Sequence, residues 1–197
     1  MATPKYCFFS LGILLIFLIG GCSSIRFSQT APEAEGFHPQ TIAVLALNVV
    51  GFEESRSALD RTIAEELAAE KRFTRVLSYQ MMQSLLQENE PLRKTTAAYL
   101  DKLRAVNFSD SDLSKKIGEL AGIDAFLLVN VDYWYYTKEL DKNVAKVGLG
   151  MKLINAATGE VIWKAGHDLA QKYVFIKPEL SDVAKDVVRQ MLRVMPR

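Results

Sequence analysis

The stretch Leu127-Leu128-Val129-Asn130-Val131-Asp132-Tyr133-Trp134-Tyr135-Tyr136 decides how this chain folds. Apolar side chains stand at Leu127, Val129, Val131, Tyr133 and Tyr135, while Asn130 and Asp132 take alternate positions. Period two with one polar side marks a strand with one buried face, because successive side chains leave a pleated strand on opposite sides. The alternation returns at Ala145, Val147, Leu149, Met151 and Leu153, with Lys146 and Lys152 facing away. Asp141-Lys142-Asn143 is placed to turn the hairpin between these strands. Asn155-Ala156-Ala157-Thr158-Gly159 makes the next turn, and Glu160 to about Val174 forms a third strand containing Trp163. These fifty residues predict an antiparallel three-stranded meander.

Downstream, Pro178 begins a helix in which Leu180, Val183, Ala184, Val187, Val188, Met191 and Leu192 form a stripe of helical period suited to lie on the sheet. Upstream, Thr41-Ile42-Ala43-Val44-Leu45-Ala46-Leu47-Asn48-Val49 is a continuous apolar run, the pattern of a central strand covered on both faces. Ser57 can cap a helix carrying Leu59, Ile63 and Leu67 and running to about Arg72, with Asp60 in its first turn. Phe73 to Leu77 reads as a short strand. Ser78 can cap a helix that buries Met81, Met82, Leu85 and Leu86 and stops at Pro91. Residues 95 to 106 carry a weak helical pattern in Leu100, Leu103 and Val106. Asp110 and its neighbours Ser109, Ser111 and Asp112 can cap a helix containing Leu113, Ile117, Leu120 and Ala121, which Gly122 closes in a left-handed conformation. The expectation is an α/β (α+β) fold: a strand-helix-strand-helix unit, then the meander and a C-terminal helix, on one mixed sheet.

Ahead of this domain, residues 22 to 40 are rich in Ser, Thr, Pro, Glu and Gly and read as a flexible tether. Eighteen links reach at most about 60 Å extended and roughly 25 Å on average as a coil. Before them lie Lys5, an apolar run from Phe8 to Ile19, and Gly20-Gly21-Cys22-Ser23, the layout of a cleavable secretory signal. The run is shorter than the about 20 residues a membrane-spanning helix needs. The predicted division is therefore a signal peptide over 1–21, a tether over 22–40 and a single periplasmic domain over 41–197.

Removing residues 1–21 takes Lys5 and no acid, so 23 bases face 23 acids in the mature chain. Nucleic-acid affinity rests on neutralising phosphates, and a formally neutral chain lacks that basic surplus. Cys7 leaves with the signal, so Cys22 stands alone and no intramolecular disulfide can form. The 197-residue chain is 49% hydrophobic, and the about 175 residues left without the signal suit one packed core.

Catalysis would require a nucleophile beside a base, a carboxylate pair or a metal cluster. His38 falls in the tether, and His167 stands on the third meander strand as a partly solvated residue with no other His or Cys nearby in sequence. Glu65, Glu66 and Glu70 share a helix with Lys71 and Arg72, the composition of a solvated face. Asp110 and Asp112 lack the following oxygen ligands and glycine of a calcium loop and read as caps. Gly148-x-Gly150 lacks the third glycine of a dinucleotide site and reads as strand glycines that admit a bulky neighbour. No catalytic residue, metal or cofactor is expected. Trp134 and Tyr136, on the side of Asn130 and Asp132, form the candidate partner surface, since exposed aromatics anchor protein partners. The alternative is that Trp134 packs over Gly148 or Gly150, or under a helix.

Leu18-Ile19-Gly20-Gly21-Cys22-Ser23 resembles the lipobox of bacterial lipoproteins, which implies acylation of Cys22 and cleavage before it. Ser23 in the next position resembles the outer-membrane sorting pattern. Three segments, Ile42 to Leu47, Leu113 to Val131 and Leu153 to Trp163, are similar to the periplasmic domain shared by the curli-secretion lipoprotein CsgG, the amino-terminal domain of TolB and the penicillin-binding-protein activator LpoB. The family often has proline where Ala46 stands. The hairpins lack the long insertions of pore formers, and the tether is short beside that of LpoB-like activators. The resemblance implies a small outer-membrane lipoprotein with this mixed fold.

The functional expectation is a noncatalytic binding or assembly adaptor, anchored by Cys22 at the periplasmic face of the outer membrane and meeting an envelope protein partner, with oligomeric state left open. An accessory lipoprotein of a transport or secretion system is one alternative. An envelope hydrolase is another, and it would need two converging carboxylates, or His167 with an acid, in a concave pocket. Cys22→Ser is expected to move the domain from the membrane to the soluble fraction on cell fractionation, and unchanged membrane association would refute the anchor.

Overall fold

The computed structural model describes residues 25–197. The expected signal peptide over 1–21 and Cys22 lie outside the described residues. Six strands form one open mixed sheet: β1 Phe27–Thr30, β2 Thr41–Asn48, β3 Arg75–Leu77, β4 Ala125–Glu139, β5 Lys142–Asn155 and β6 Val161–Tyr173. Their order is β1-β6-β5-β4-β2-β3. β2 runs parallel to both β3 and β4, whereas β4, β5, β6 and β1 pair antiparallel in succession. The helices are α1 Arg56–Ala69, α2 Tyr79–Glu88, α3 Glu90–Val106, α4 Ser111–Ala121 and α5 Leu180–Arg193. The strand-helix-strand-helix unit, the meander and the C-terminal helix thus share one mixed sheet, as the patterns predict.

Helices cover both faces of β2, which explains its unbroken apolar run. On one side Leu59, Ile63 and Leu67 of α1 and the apolar stripe of α5 pack with Val44, Leu127, Val129, Leu149 and Met151. On the other, Met82 of α2, Leu92 and Tyr99 of α3 and Ile117 of α4 pack with Ala43, Leu45, Phe126 and Ile154. Tyr99 meets Phe126 edge to face at 5.5 Å between ring centroids, the arrangement that ring quadrupoles favour.

Local chemistry sets the helix ends. The Asp110 carboxylate accepts from Leu113 N at 2.9 Å, and Gly122 closes α4 at φ 63°. Ser78 Oγ accepts from Met81 N, and the nearly buried Asp60 accepts from Tyr79 N at 2.6 Å and Gln80 N at 3.0 Å. Asp60 thereby ties α1 to the start of α2. Pro91 acts differently from expectation. The chain turns at Asn89, whose side chain caps α3, and Pro91 sits in the first turn of that helix, where its missing N–H costs nothing. The weak pattern at 95–106 is the second half of this 17-residue helix. α1 starts at Arg56, so Ser57 lies inside it, and it ends at Ala69 rather than near Arg72. The first hairpin turns at Leu140-Asp141, φ 48° and 61°, one residue earlier than expected; two positive φ values match the twist of the flanking strands.

The expected tether over 22–40 requires correction. β1 adds to the sheet along β6, Ala31 N donates to Ile162 O at 2.9 Å, and Trp163 Nε1 donates to Ser28 Oγ at 2.9 Å. Ala34 is buried and Phe37 packs on the core. All four β1 residues are exposed, so this edge strand leaves no alternating pattern to read. His167 is corrected as well: it is buried, with Nε2 2.9 Å from Gln190 Oε1.

The largest departure lies in β4. Val131 pairs with Leu149 but Tyr133 pairs with Gly148, so Asp132 is an extra residue and the side-chain phase reverses there. Trp134, placed on the exposed side by the count in twos, is 6% exposed and belongs to the core layer of α1 and α5 with Val147 and Ala145, in line with the alternative that it packs under a helix. Tyr136 is half-buried against that layer. Tyr133 and Tyr135, expected in the core, face the other way. Tyr133 lies across Gly148, where a Cβ would come within 2.5 Å of its ring.

Two stability measurements follow from these contacts. Asp60→Ala leaves two amide donors at the start of α2 without their acceptor and is expected to cost about 1–3 kcal/mol in denaturant unfolding. Gly148→Ala is expected to cost about 1–3 kcal/mol by overpacking. Much of that loss should disappear in a Tyr133→Ala background, as a double-mutant cycle would reveal.

Candidate interaction face of the sheet

Helices α2, α3 and α4 cover only part of their side of the sheet. Their packing partners on β4 and β5 stop near Leu128 and Ile154. Farther along, Asn130, Asp132, Tyr133 and Tyr135 of β4, Lys146 and Lys152 of β5, and Lys164 and Asp168 of β6 are exposed or half-buried. β1 widens this area at the sheet edge.

Two close approaches shape the surface. Tyr133 covers Gly148, and Phe27 covers Gly166, where a Cβ would come within 2.4 Å of the Phe27 ring. Glycine in both places lets an aromatic ring lie against the backbone of the neighbouring strand. Tyr135 packs against Tyr133 at 5.9 Å and near Phe52 at 6.4 Å, and remains 37% exposed. Lys146 Nζ stands 4.9 Å from the Tyr133 ring centroid and 2.9 Å from Glu139 Oε1. The bond to Glu139 raises the Lys146 pKa above its ordinary value.

Between the aromatics runs a polar chain. Asn48 Nδ2 donates to Asn130 Oδ1 at 2.7 Å, and Asn130 Nδ2 donates to Asp132 Oδ1 at 2.7 Å. Arg26 then donates to Asp132 Oδ2 at 2.8 Å and stands 3.7 Å from Asp168. The hydrogen bond to Asp132 holds the Arg26 pKa above its ordinary value against the opposing effect of burial. The bulge residue Asp132 is therefore fixed from two sides. Arg26 joins the edge strand to the centre of the face through Asp132, and its one positive charge is shared between the two carboxylates.

Trp134, one of the two sequence candidates for a partner surface, contributes to the core. Tyr136 instead donates from its hydroxyl to Pro178 O at 2.9 Å, packs edge to face with Tyr173 at 6.2 Å and lies beneath Lys177 Nζ, 3.4 Å from its ring centroid. Burial, with Glu179 adding to it, raises the Tyr136 pKa. The open face falls to Tyr133, Tyr135 and Phe27. Counting positions in steps of two from Leu127 misses it, because the signal that reassigns them is the Asp132 bulge. Gly148 in an otherwise apolar strand is the sequence feature that points to a ring lying on it.

Other concavities are shallow. One of about 470 Å³ is lined by Lys115, Glu119, Asp124 and Asn155 among others. Asp124 there accepts from Gln40 N and Thr41 N, both at 2.8 Å, and so anchors the start of β2. Burial pushes its pKa up, but the bonds from Thr41 and Gln40 outweigh that and hold it below the usual carboxylate range. Among the described residues no three His, Cys, Asp or Glu side chains are grouped to hold a metal ion, and no helix is long and apolar enough to cross a membrane.

No family model matches the sequence, and no curated protein matches it. Solved structures do match. A PelC dodecamer from Paraburkholderia phytofirmans is 14% identical, with 86% of this chain and 95% of that one covered at a TM-score of 0.55. A second PelC dodecamer from the same organism, a variant, is 15% identical over 80% of this chain and 88% of that one, at a TM-score of 0.51. Lipoprotein GNA1162 from Neisseria meningitidis is 20% identical over 78% of this chain and 97% of that one, at 0.49. The likeness to CsgG, TolB and LpoB rests on sequence segments alone; the solved structures establish that this chain shares the fold of PelC.

Proposed function

We propose that this chain is a noncatalytic, lipid-anchored adaptor at the periplasmic face of the outer membrane, and that the open sheet face is its contact surface for assembly in an envelope complex. The observation that carries the reading is the continuous aromatic and ion-paired surface of Phe27, Tyr133, Tyr135, Arg26 and Asp132, which α2, α3 and α4 leave uncovered. Aromatic rings combined with arginine are the residue types that concentrate binding energy at protein interfaces.

Three further features support the assignment. The lipobox-like segment ending at Cys22 supplies the membrane address. His167 is engaged with Gln190 inside the core, and Arg26 pairs with Asp132 and stands near Asp168 on the open face, which supports a role for these groups in packing and surface architecture. PelC, which shares the fold, is a dodecamer, and self-assembly through a sheet face suits the same architecture.

The experiment is crosslinking of the intact protein in cells, comparing wild type with a Phe27→Ser/Tyr135→Ser variant. Wild type is expected to give discrete crosslinked species containing further copies of the chain or a defined envelope protein. The variant should lose most of them, with a melting temperature within a few degrees of wild type, because one or two exposed substitutions shift stability by about 1 kcal/mol or less. Unchanged crosslinks in a folded variant would refute the face as the contact surface.

A further inference from the structure

The end of the sheet that carries the β4–β5 hairpin tip also carries the three most exposed large apolar side chains among the described residues, Phe175, Leu140 and Ile176. Leu140 at the hairpin tip is 93% exposed, and Phe175, just beyond β6, is 95% exposed between the similarly bare Val174 and Ile176. Asn143 pairs with Tyr173, so the two loops leave adjacent strands at the same end. The second loop is held at both sides. Tyr173 is fixed by its ladder and by the ring of Tyr136, and the return segment is fixed where Lys177 covers Tyr136 and Pro178 accepts its hydroxyl. Fastened in this way, Val174-Phe175-Ile176 projects outward and cannot fold back onto the core to hide its side chains.

Charge surrounds the apolar tip. Lys138, Lys142, Lys172 and Lys177 are all exposed there, against Asp141 and Glu179, while Glu139 is paired with Lys146. The excess is positive, in a chain that is formally neutral once residues 1–21 are removed. Apolar residues ringed by lysine suit the boundary of a bilayer, where acyl chains accept the former and anionic headgroups attract the latter.

Chain direction selects the same occupant. β1 runs antiparallel to β6, with Thr30 opposite Trp163 and Phe27 opposite Gly166, so the chain ahead of Phe27 heads toward the Tyr173 end. Gly166 lies seven strand steps from Tyr173, about 23 Å. Cys22 is five residues before Phe27, which gives a reach of at most about 18 Å. An anchor with so little slack keeps the domain against its membrane, with the tip end nearest.

We infer that Leu140, Val174, Phe175 and Ile176 form a second membrane contact, inserting into the headgroup and acyl boundary of the phospholipid leaflet that holds Cys22. The inference rests on the reading of Cys22 as acylated. An acylated cysteine leaves the domain free to rotate about its attachment, and a protein-borne apolar tip adds a second contact that fixes its orientation. Orientation sets the open sheet face upright relative to the bilayer, accessible to neighbours in the membrane plane.

The test uses the full-length protein, isolated from bacterial membranes in detergent and reconstituted into vesicles of phosphatidylethanolamine and phosphatidylglycerol. Phe175→Trp places a fluorophore at the tip, and the buried Trp134 and Trp163 supply a constant background. The added emission is expected to shift to the blue and to be quenched by about half with acyl-brominated lipid, since interfacial apolar groups lie about 5–10 Å into the boundary. Adding Val174→Ser and Ile176→Ser should remove most of that quenching. Mass spectrometry of the N-terminal peptide and vesicle flotation report the anchor independently. Protein that is acylated and floats, yet shows no quenching at position 175, overturns the tip contact and leaves the anchor standing. An unmodified Cys22 overturns the anchor and the inference with it. A blue shift that needs no vesicles and disappears on dilution assigns the tip to contact between copies and overturns the bilayer as its occupant.

Discussion

The extra residue in β4 is the constraint on which the rest of the structure depends. β4 pairs parallel with β2 on one edge and antiparallel with β5 on the other, and it is the longest strand of the sheet. Up to Val131 its odd-numbered residues enter the layer of α1 and α5. Past Asp132 the even-numbered residues do so. One inserted residue thereby places Trp134 in the core, lays Tyr133 on Gly148 and sends the Asp132 carboxylate to Arg26. A fully buried aromatic of this size contributes on the order of 2–3 kcal/mol. The direction of the phase change is reinforced from both sides, by Val147 and Ala145 beneath Trp134 and by the absence of a Cβ at Gly148.

The same asymmetry divides the molecule into a closed side and an open one. α5 presents a continuous apolar stripe and packs over β5 and β6, with α1 beside it. α2, α3 and α4 are shared between β2, β3 and the first residues of β4, and leave the far part of the sheet bare. Hydrogen bonds and an ion pair among Arg26, Asp132 and Asn130 hold this part of the sheet face together. Ion pairs at partly exposed sites add little stability individually. Their greater effect here is geometric, fixing the edge strand and the bulge relative to one another.

β1 changes how the domain relates to Cys22, the proposed point of attachment. A free chain from Cys22 to Gln40 would let the domain wander tens of ångströms. With Phe27–Thr30 in the sheet, only four residues separate Cys22 from β1. An anchor at Cys22 would act directionally, because a strand has a heading and that of β1 is set by β6. The apolar loop after Tyr173 lies toward that heading, and Tyr136 holds it there.

Sequence by itself determined the elements whose signals are local. The apolar run of β2, the alternation in β5, the stripe of α5, the caps at Ser78 and Asp110 and the left-handed Gly122 each report their own backbone state, because capping, turn chemistry and periodicity act over a few residues. Tertiary structure alone decided which way the aromatics of β4 face, since a bulge is defined by the register of the partner strand and leaves no mark in the strand's own spacing. It also decided that Phe27–Thr30 belong to the sheet, because an edge strand exposed on every residue is indistinguishable by composition from a tether. The role of Tyr136 emerged the same way: its ring and hydroxyl act on Tyr173, Lys177 and Pro178, residues that only the folding of the meander brings beside it.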